Sequence, residues 1–325
     1  MARGASIAYL LSIAVAVAAG SAAEARNPLS RTSFYVDPAS PAALEAKQWR
    51  RSGRAQDAAA MRMLARQPTA KWITGRSDDF KRVRTVTAAA AKAHKSALLV
   101  AYYIPQRGCG SQFASVGAPS ASAYRRWVSR FARSIGRRAA TVIVEPDAVP
   151  QAAAGCLSPP AAAARYQLLR FAVHTFSALR KTTVYLDAGN LDWVGPVANL
   201  VGPLELSGVR EADGFALNVS NFYATDSTIG YGTSVSALLG GKHFVIDTSR
   251  NGNGPYTAGD GAPNWCDPPG RAIGHEPTTH TGVRLVDAFL WIKLPGESDG
   301  PCRPGAPDAG VWWPDYALGL VRNAA

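Results

Sequence analysis

Short, nearly uninterrupted apolar runs alternate along this chain with alanine-rich stretches of helical composition, and that alternation constrains the fold more than any other feature. The runs fall at residues 34–36, 97–104, 141–145, 183–186, 214–219, 243–247 and 286–292. Runs without polar alternation suit strands buried on both faces, which is the situation of parallel strands covered by crossover helices. Residues 124–136 and 161–179 have the periodicity of crossover helices. A further short run at 71–73 reads as a weaker eighth strand. An open doubly wound sheet would call for a glycine-rich phosphate loop after an early strand, and no such sequence follows any run. The expected fold is therefore an α/β barrel, seven-stranded and parallel, of TIM-like type.

The chain has 325 residues, 47% of them apolar and 18% charged, enough for a large core and too apolar for global disorder. Residues 1–25 read as a secretion signal. Arg3 supplies the positive start, residues 7–19 are apolar but too short to span a bilayer, and small residues near 21–25 offer cleavage sites. One catalytic domain over 27–325 is the simplest organisation, since no Pro/Ser/Thr linker or repeat divides the chain. An even count of four cysteines, Cys109, Cys156, Cys266 and Cys302, fits disulfides in an exported protein. Three pairings are arithmetically open, and the absence of CxxC spacing argues against zinc. The net charge is +12; its densest patch, 125–138, interleaves with Trp127 and Phe131 at helical spacing and reads as the solvated face of an amphipathic helix.

Polar residues cluster where the expected strands end, which in barrels is the catalytic face. Run 141–145 leads to Asp147, 183–186 to Asp187, 214–219 to Asn218 and Asn221, 243–247 to Asp247, and 286–292 to Lys293, Glu297 and Asp299. There is no GxSxG elbow, and the His275–His280 spacing has one residue too many, with a proline inside, for a zinc helix. Carboxylates without a metal motif point to glycoside hydrolysis.

Seven ordered blocks resemble glycoside hydrolase family 6, which holds endoglucanases and cellobiohydrolases. They are YYIPQRGC at 102–109, VIVEPD at 142–147, VYLDAG at 184–189, NVSN at 218–221, FVIDTSRNGNGP at 244–255, NWCDPPGR at 264–271 and LWIKLPGESDG at 290–300. The resemblance implies a distorted barrel and an inverting mechanism on β-1,4-glucan, with no cofactor or metal. It makes Asp147 the general acid, Asp299 the proposed base and Asp187 a supporting acid. Lys293, Glu297, Trp265 and Tyr102 become sugar contacts, Trp265 by stacking and Tyr102 against the distorted ring, with Trp193, Asn218 and Asn221 as further substrate-binding candidates. It pairs Cys109 with Cys156 and Cys266 with Cys302. Partners other than glucan, whether nucleic acid or membrane, are not expected, and a secreted monomer is. Short loops at 254–266 and 300–311 favour an endoglucanase over a cellobiohydrolase. One departure stands out: the family usually carries Arg-Asp-Cys where this chain has Arg107-Gly108-Cys109, and the following loop reads one residue longer. Loss of that Asp leaves either a slower enzyme, one with a compensating group, or a glucan-binding relative without activity.

Overall fold

The computed structural model describes residue 1, residues 26–109 and residues 117–324. The expected signal segment and the loop after Cys109 lie outside the described residues. Seven strands form one parallel sheet in sequence order: β1 Lys71–Ile73, β2 Ala97–Ala101, β3 Ala140–Val144, β4 Thr182–Asp187, β5 Gly214–Leu217, β6 His243–Asp247 and β7 Val286–Leu290. The seam between β1 and β7 is held by a single bridge, Thr69 to Trp291, with the Ala70 N–H donating to the Trp291 carbonyl at 3.1 Å. The Trp72 indole N–H crosses the same seam to the Ile292 carbonyl at 2.8 Å. The sheet is thus a distorted barrel, as expected.

The first strand is not where the sequence placed it. Residues 34–36 contribute one bridge, Phe34 to Ser96, while Lys71–Ile73 pairs in full register with β2. The reason is local: the Asp37 carboxylate accepts the Ala39 N–H at 2.9 Å, and Pro38 has no N–H to offer a ladder, so the chain turns away.

Strand residues alternate between two apolar layers. Leu98, Val100, Ile143, Tyr185, Ala216, Val245, Ala288 and Leu290 fill the barrel interior. Leu99, Ala101, Val142, Val144, Val184, Leu186, Phe215 and Ile246 face the surrounding helices. Both faces being dry explains the lack of polar alternation. Around β1 to β4 stand α3 Asp79–Lys92, α4 Ala121–Ile135, the short α5 Ala148–Ala153, and α6 Pro159–Ser177. They are followed by α7 Ala198–Leu206 and α8 Thr225–Leu238. The N-terminal pair α1 Pro41–Arg51 and α2 Ala55–Ala65 packs with α9 Pro314–Arg322 over Trp291. The Ser120 hydroxyl caps α4 by accepting the Ala123 N–H at 3.2 Å. No described helix is long and apolar enough to cross a membrane.

Two disulfides, Cys109–Cys156 and Cys266–Cys302, have the pairing the resemblance implied, with Cα separations of 6.0 and 6.3 Å. The first ties the loop after β2 to the segment after α5; the second ties the loop after β6 to the loop after β7. In the chain-entropy view each is worth about 3–4 kcal/mol.

Candidate active site

The chain leaves β2 and β3 at the same end of the barrel, and there the backbone is unusual. Glu145 and Asp147, on either side of Pro146, both adopt left-handed conformations, with φ of 47° and 73°. Such conformations are rare for residues with a Cβ, so surrounding groups must hold them. Glu145 is fully buried and accepts N–H bonds from Tyr103, at 3.0 and 2.9 Å, and from Ile104 at 3.0 Å. The Asp147 N–H donates to Oδ2 of Asp187 at 2.9 Å, and Gly189 N–H reaches the same oxygen at 3.1 Å. The strand ends are thereby cross-linked around one half-buried side chain, that of Asp147.

The Asp147 carboxyl takes a hydrogen bond from the Tyr102 hydroxyl at 3.4 Å. Burial first, helped by the negative charge of Asp299, raises its pKa to about 6 against the opposing pull of Tyr102, Arg107 and Lys293. Tyr102 is itself held between the Trp72 ring, edge-on at 5.1 Å, and the Arg107 guanidinium, 4.3 Å from its centroid. Arg107 also hydrogen-bonds the Tyr102 carbonyl. Asp187 is 1% exposed, its Oδ1 has no partner among the described residues, and burial followed by the nearby Asp147 pushes its pKa far up.

Across the site, Asp299 has the opposite environment. Burial pushes its pKa up, but Arg250 and Lys293 outweigh burial and hold it below the usual carboxylate range. Arg250 is 0% exposed and grips both Asp299 oxygens, at 2.7 and 3.3 Å, while also reaching Asp267 at 3.3 Å and the Ser220 carbonyl at 2.6 Å. Lys293 Nζ lies 3.2 Å from Asp299 and 3.4 Å from Glu297. The Asp267 carboxylate accepts the Asp299 N–H at 2.8 Å and the Ser298 hydroxyl at 2.8 Å, with its pKa raised to about 6 by burial and by Asp299. Asp247 at the end of β6 is buried and serves the backbone, accepting N–H bonds from Ser220, Ser249, Ile292 and Lys293.

The structure thus brings Asp147, Asp187, Tyr102, Asp299, Lys293 and Glu297 to one end of the barrel. Trp265 is 42% exposed beside buried Cys266, while Trp193 and Asn221 are half-buried. Asn218 differs: it is 0% exposed and commits its amide to the carbonyls of Tyr223 and Asp247 and to the Tyr223 N–H. That use makes it a brace between the β5 and β6 ends. Sequence reasoning assigned no role to Arg250, Asp267, Glu145, Arg107 or Trp72, although all but Trp72 stand inside the quoted blocks. Cys266, Asp267 and Cys302 bring ligand-type atoms within 4.8 Å of one another, but both sulfurs belong to the disulfide.

Comparison with known proteins places this geometry. The profile of glycosyl hydrolases family 6 matches residues 29–324. Endoglucanase 1 of Streptomyces halstedii is 38% identical over 325 residues, covering 97% of each chain. Endoglucanase A of Cellulomonas fimi is 40% identical over 300 residues, covering 91% of this chain, which in turn spans only 62% of that longer protein. A solved endoglucanase of Mycobacterium tuberculosis, in complex with methyl-cellobiosyl-4-deoxy-4-thio-β-D-cellobioside, superimposes with a TM-score of 0.84 at 44% identity, covering 92% of this chain and 99% of that one.

Proposed function

The chain belongs to glycosyl hydrolases family 6, and from that membership we propose that it is an exported, monomeric endo-β-1,4-glucanase acting with inversion. The observation that carries the mechanism is the split between two carboxyls facing one site. Asp147 is raised to about 6 and Asp299 is lowered. Environments that push two titratable groups apart define an acid and a base. Asp147 protonates the glycosidic oxygen, and Asp299, ionised and held by Arg250, draws the proton from an attacking water. Asp187 positions Asp147 through its backbone. An inverting pair needs room for that water, roughly 6.5–9.5 Å between carboxyls.

Tyr102 sits beside the acid, where a distorted sugar ring would lie, and Trp265 offers an exposed indole for an apolar sugar face. Lys293 and Glu297 supply charged hydrogen-bonding groups, and Trp193 and Asn221 line the approach. Export is supported by two disulfides, which persist in oxidising compartments. Endo action is supported by the short 254–266 and 300–311 loops, which leave little chain to roof the cleft.

The test is to follow carboxymethyl cellulose viscosity against new reducing ends, with the anomer of the first product read on a soluble oligosaccharide. Viscosity should fall ahead of reducing ends, and the new end should be α. Cellobiose release with little viscosity loss would reassign the chain as a cellobiohydrolase; no turnover at all would favour a glucan-binding relative, the reading that Gly108 allows.

A further inference from the structure

The positive charge of this protein is concentrated on one wall. Sixteen of its 35 Lys and Arg, but only two of its 23 Asp and Glu, lie between Phe80 and Leu186. Those two acids are Glu145 and Asp147, fully buried and half-buried at the barrel end. This segment therefore carries +14 and the rest of the chain −2. Of its sixteen cations, Arg107 and Arg165 are buried near the barrel end, and the other fourteen fall on or just beyond α3, α4 and α6, which pack side by side outside β2 to β4.

On α4, Arg126, Arg130 and Arg133 are exposed at alternating spacings of four and three, and exposed Arg137 follows just beyond the helix, continuing the line. At about 1.5 Å per residue that line runs roughly 16 Å. Beside it on α3, Lys81, Arg84 and Lys92 are exposed as well. Among the described residues, Arg126, Arg133 and Arg137 have no acidic partner. A concavity between α4 and α6 is lined by Arg125, Arg170 and His174 with Glu211, whose carboxylate reaches both Arg170 and His174, and a second, beyond the C-terminal ends of the two helices, by Arg137, Arg180 and Lys181.

We infer that the α3–α4–α6 wall is a docking surface for a carboxylate-bearing polysaccharide, separate from the catalytic cleft. Charge complementarity selects a polyanion, and guanidinium groups match carboxylates with paired N–H donors. The large apolar side chains exposed on the described surface, from Leu44 to Val311, all fall outside residues 80–186. The wall therefore lacks the apolar wedge that holds a protein in a bilayer interface, and its half-buried Phe171 and Phe80 rings are covered by the guanidinium groups of Arg125 and Arg130 instead of lying open to stack nucleic acid bases. The choice of a polysaccharide over a phosphate polyanion rests on the proposed function as an exported glucanase. Docking would hold the enzyme on mixed polymers in which acidic chains accompany the glucan.

The probe is polygalacturonate, which offers carboxylates and no β-1,4-glucan. The triple variant Arg126→Gln/Arg133→Gln/Arg137→Gln is compared with Lys47→Gln/Arg51→Gln/Arg66→Gln, which removes the same charge from the exposed faces of α1 and α2. Native protein should bind at low salt and release as salt rises, the sign of counterion displacement. The α4 variant should bind on the order of tenfold more weakly, and the control variant nearly as well as native protein. Hydrolysis of neutral hydroxyethyl cellulose should be equal in all three. Absence of hydrolysis in native protein would sink the glucanase reading and leave the binding comparison intact. No binding to polygalacturonate, equal losses in both variants, or tighter binding to duplex DNA or to phosphatidylglycerol vesicles would overturn the docking surface. If the triple variant lost hydrolysis through misfolding, the single variants Arg126→Gln and Arg133→Gln would read the same contrast, and unchanged binding in both would overturn it.

Discussion

Asp187 meets Asp147 through the backbone: its Oδ2 accepts the Asp147 N–H at 2.9 Å. Asp147 sits at a φ of 73°, a conformation that costs on the order of 1–3 kcal/mol and persists only when its surroundings enforce it. Asp187 is one of those enforcers. Asp187→Ala should therefore lower kcat by about 10–100-fold on the scale of misplaced catalytic groups. Asp187→Asn keeps an acceptor oxygen and should recover much of that loss. A rate for Asp187→Asn as low as that of the alanine variant would assign Asp187 an electrostatic part instead.

The acid itself is tested by leaving group. Asp147→Asn should slow hydrolysis of unactivated glucan by ~10²–10⁴, the usual worth of a positioned proton donor, and much less for a substrate whose leaving group needs no proton. Equal losses on both substrates would remove Asp147 from that role.

The pH profile of kcat/KM follows from the two shifted carboxyls. Asp147 must be protonated, so activity should decline as pH rises through about 6. Asp299 must be ionised and its pKa is lowered, so the acid limb should lie below the ordinary carboxylate range. Arg250→Met removes the larger of the two cations that keep Asp299 charged, and the acid limb should move up. Breaking this buried pair should also cost about 3–5 kcal/mol of stability, read by denaturant unfolding. An unmoved acid limb in folded Arg250→Met would mean that Asp299 is not the group titrating there.

Gly108 stands where the family resemblance leads one to expect Asp, next to Arg107 and disulfide-bonded Cys109. A carboxylate added there would place one more negative neighbour near the acid. Gly108→Asp should raise the rate or move the alkaline limb upward. If that variant changes neither while Asp147→Asn abolishes turnover, burial and Asp299 already hold the proton on Asp147 without help.

Fully buried Glu145 links pH to stability. Burial raises its pKa to about 7, against the pull of the Tyr103 and Ile104 amides. The folded state then binds a proton more tightly than the unfolded chain, so this contribution is complete below about 4.5 and is lost as pH rises through 7. Between those limits it amounts to on the order of 3 kcal/mol. The melting temperature should be higher at pH 5 than at pH 8, and Glu145→Gln should shrink the difference. A native protein that gains stability over that range would show that Glu145 is ionised when buried.

The apolar runs determined the barrel, because parallel strands dry on both faces leave no polar alternation, and the polar residues just after those runs determined the end at which the carboxylates gather. The disulfide partners, and the carboxylates that gather at one barrel end, were legible through their sequence blocks. The run at 34–36 misled because a three-residue apolar stretch looks the same whether or not a turn at Asp37 and Pro38 removes it from the sheet. Arg250 and Asp267 went unassigned for a different reason: residues 17 positions apart meet at 3.3 Å only once β6 and its loop are folded over the site. Tertiary structure alone decided that Asn218 is a brace, that Asp187 serves a backbone N–H, and that basic residues scattered along a hundred positions form one wall. Those outcomes depend on burial and on distances across the fold, which local spacing along a chain does not encode.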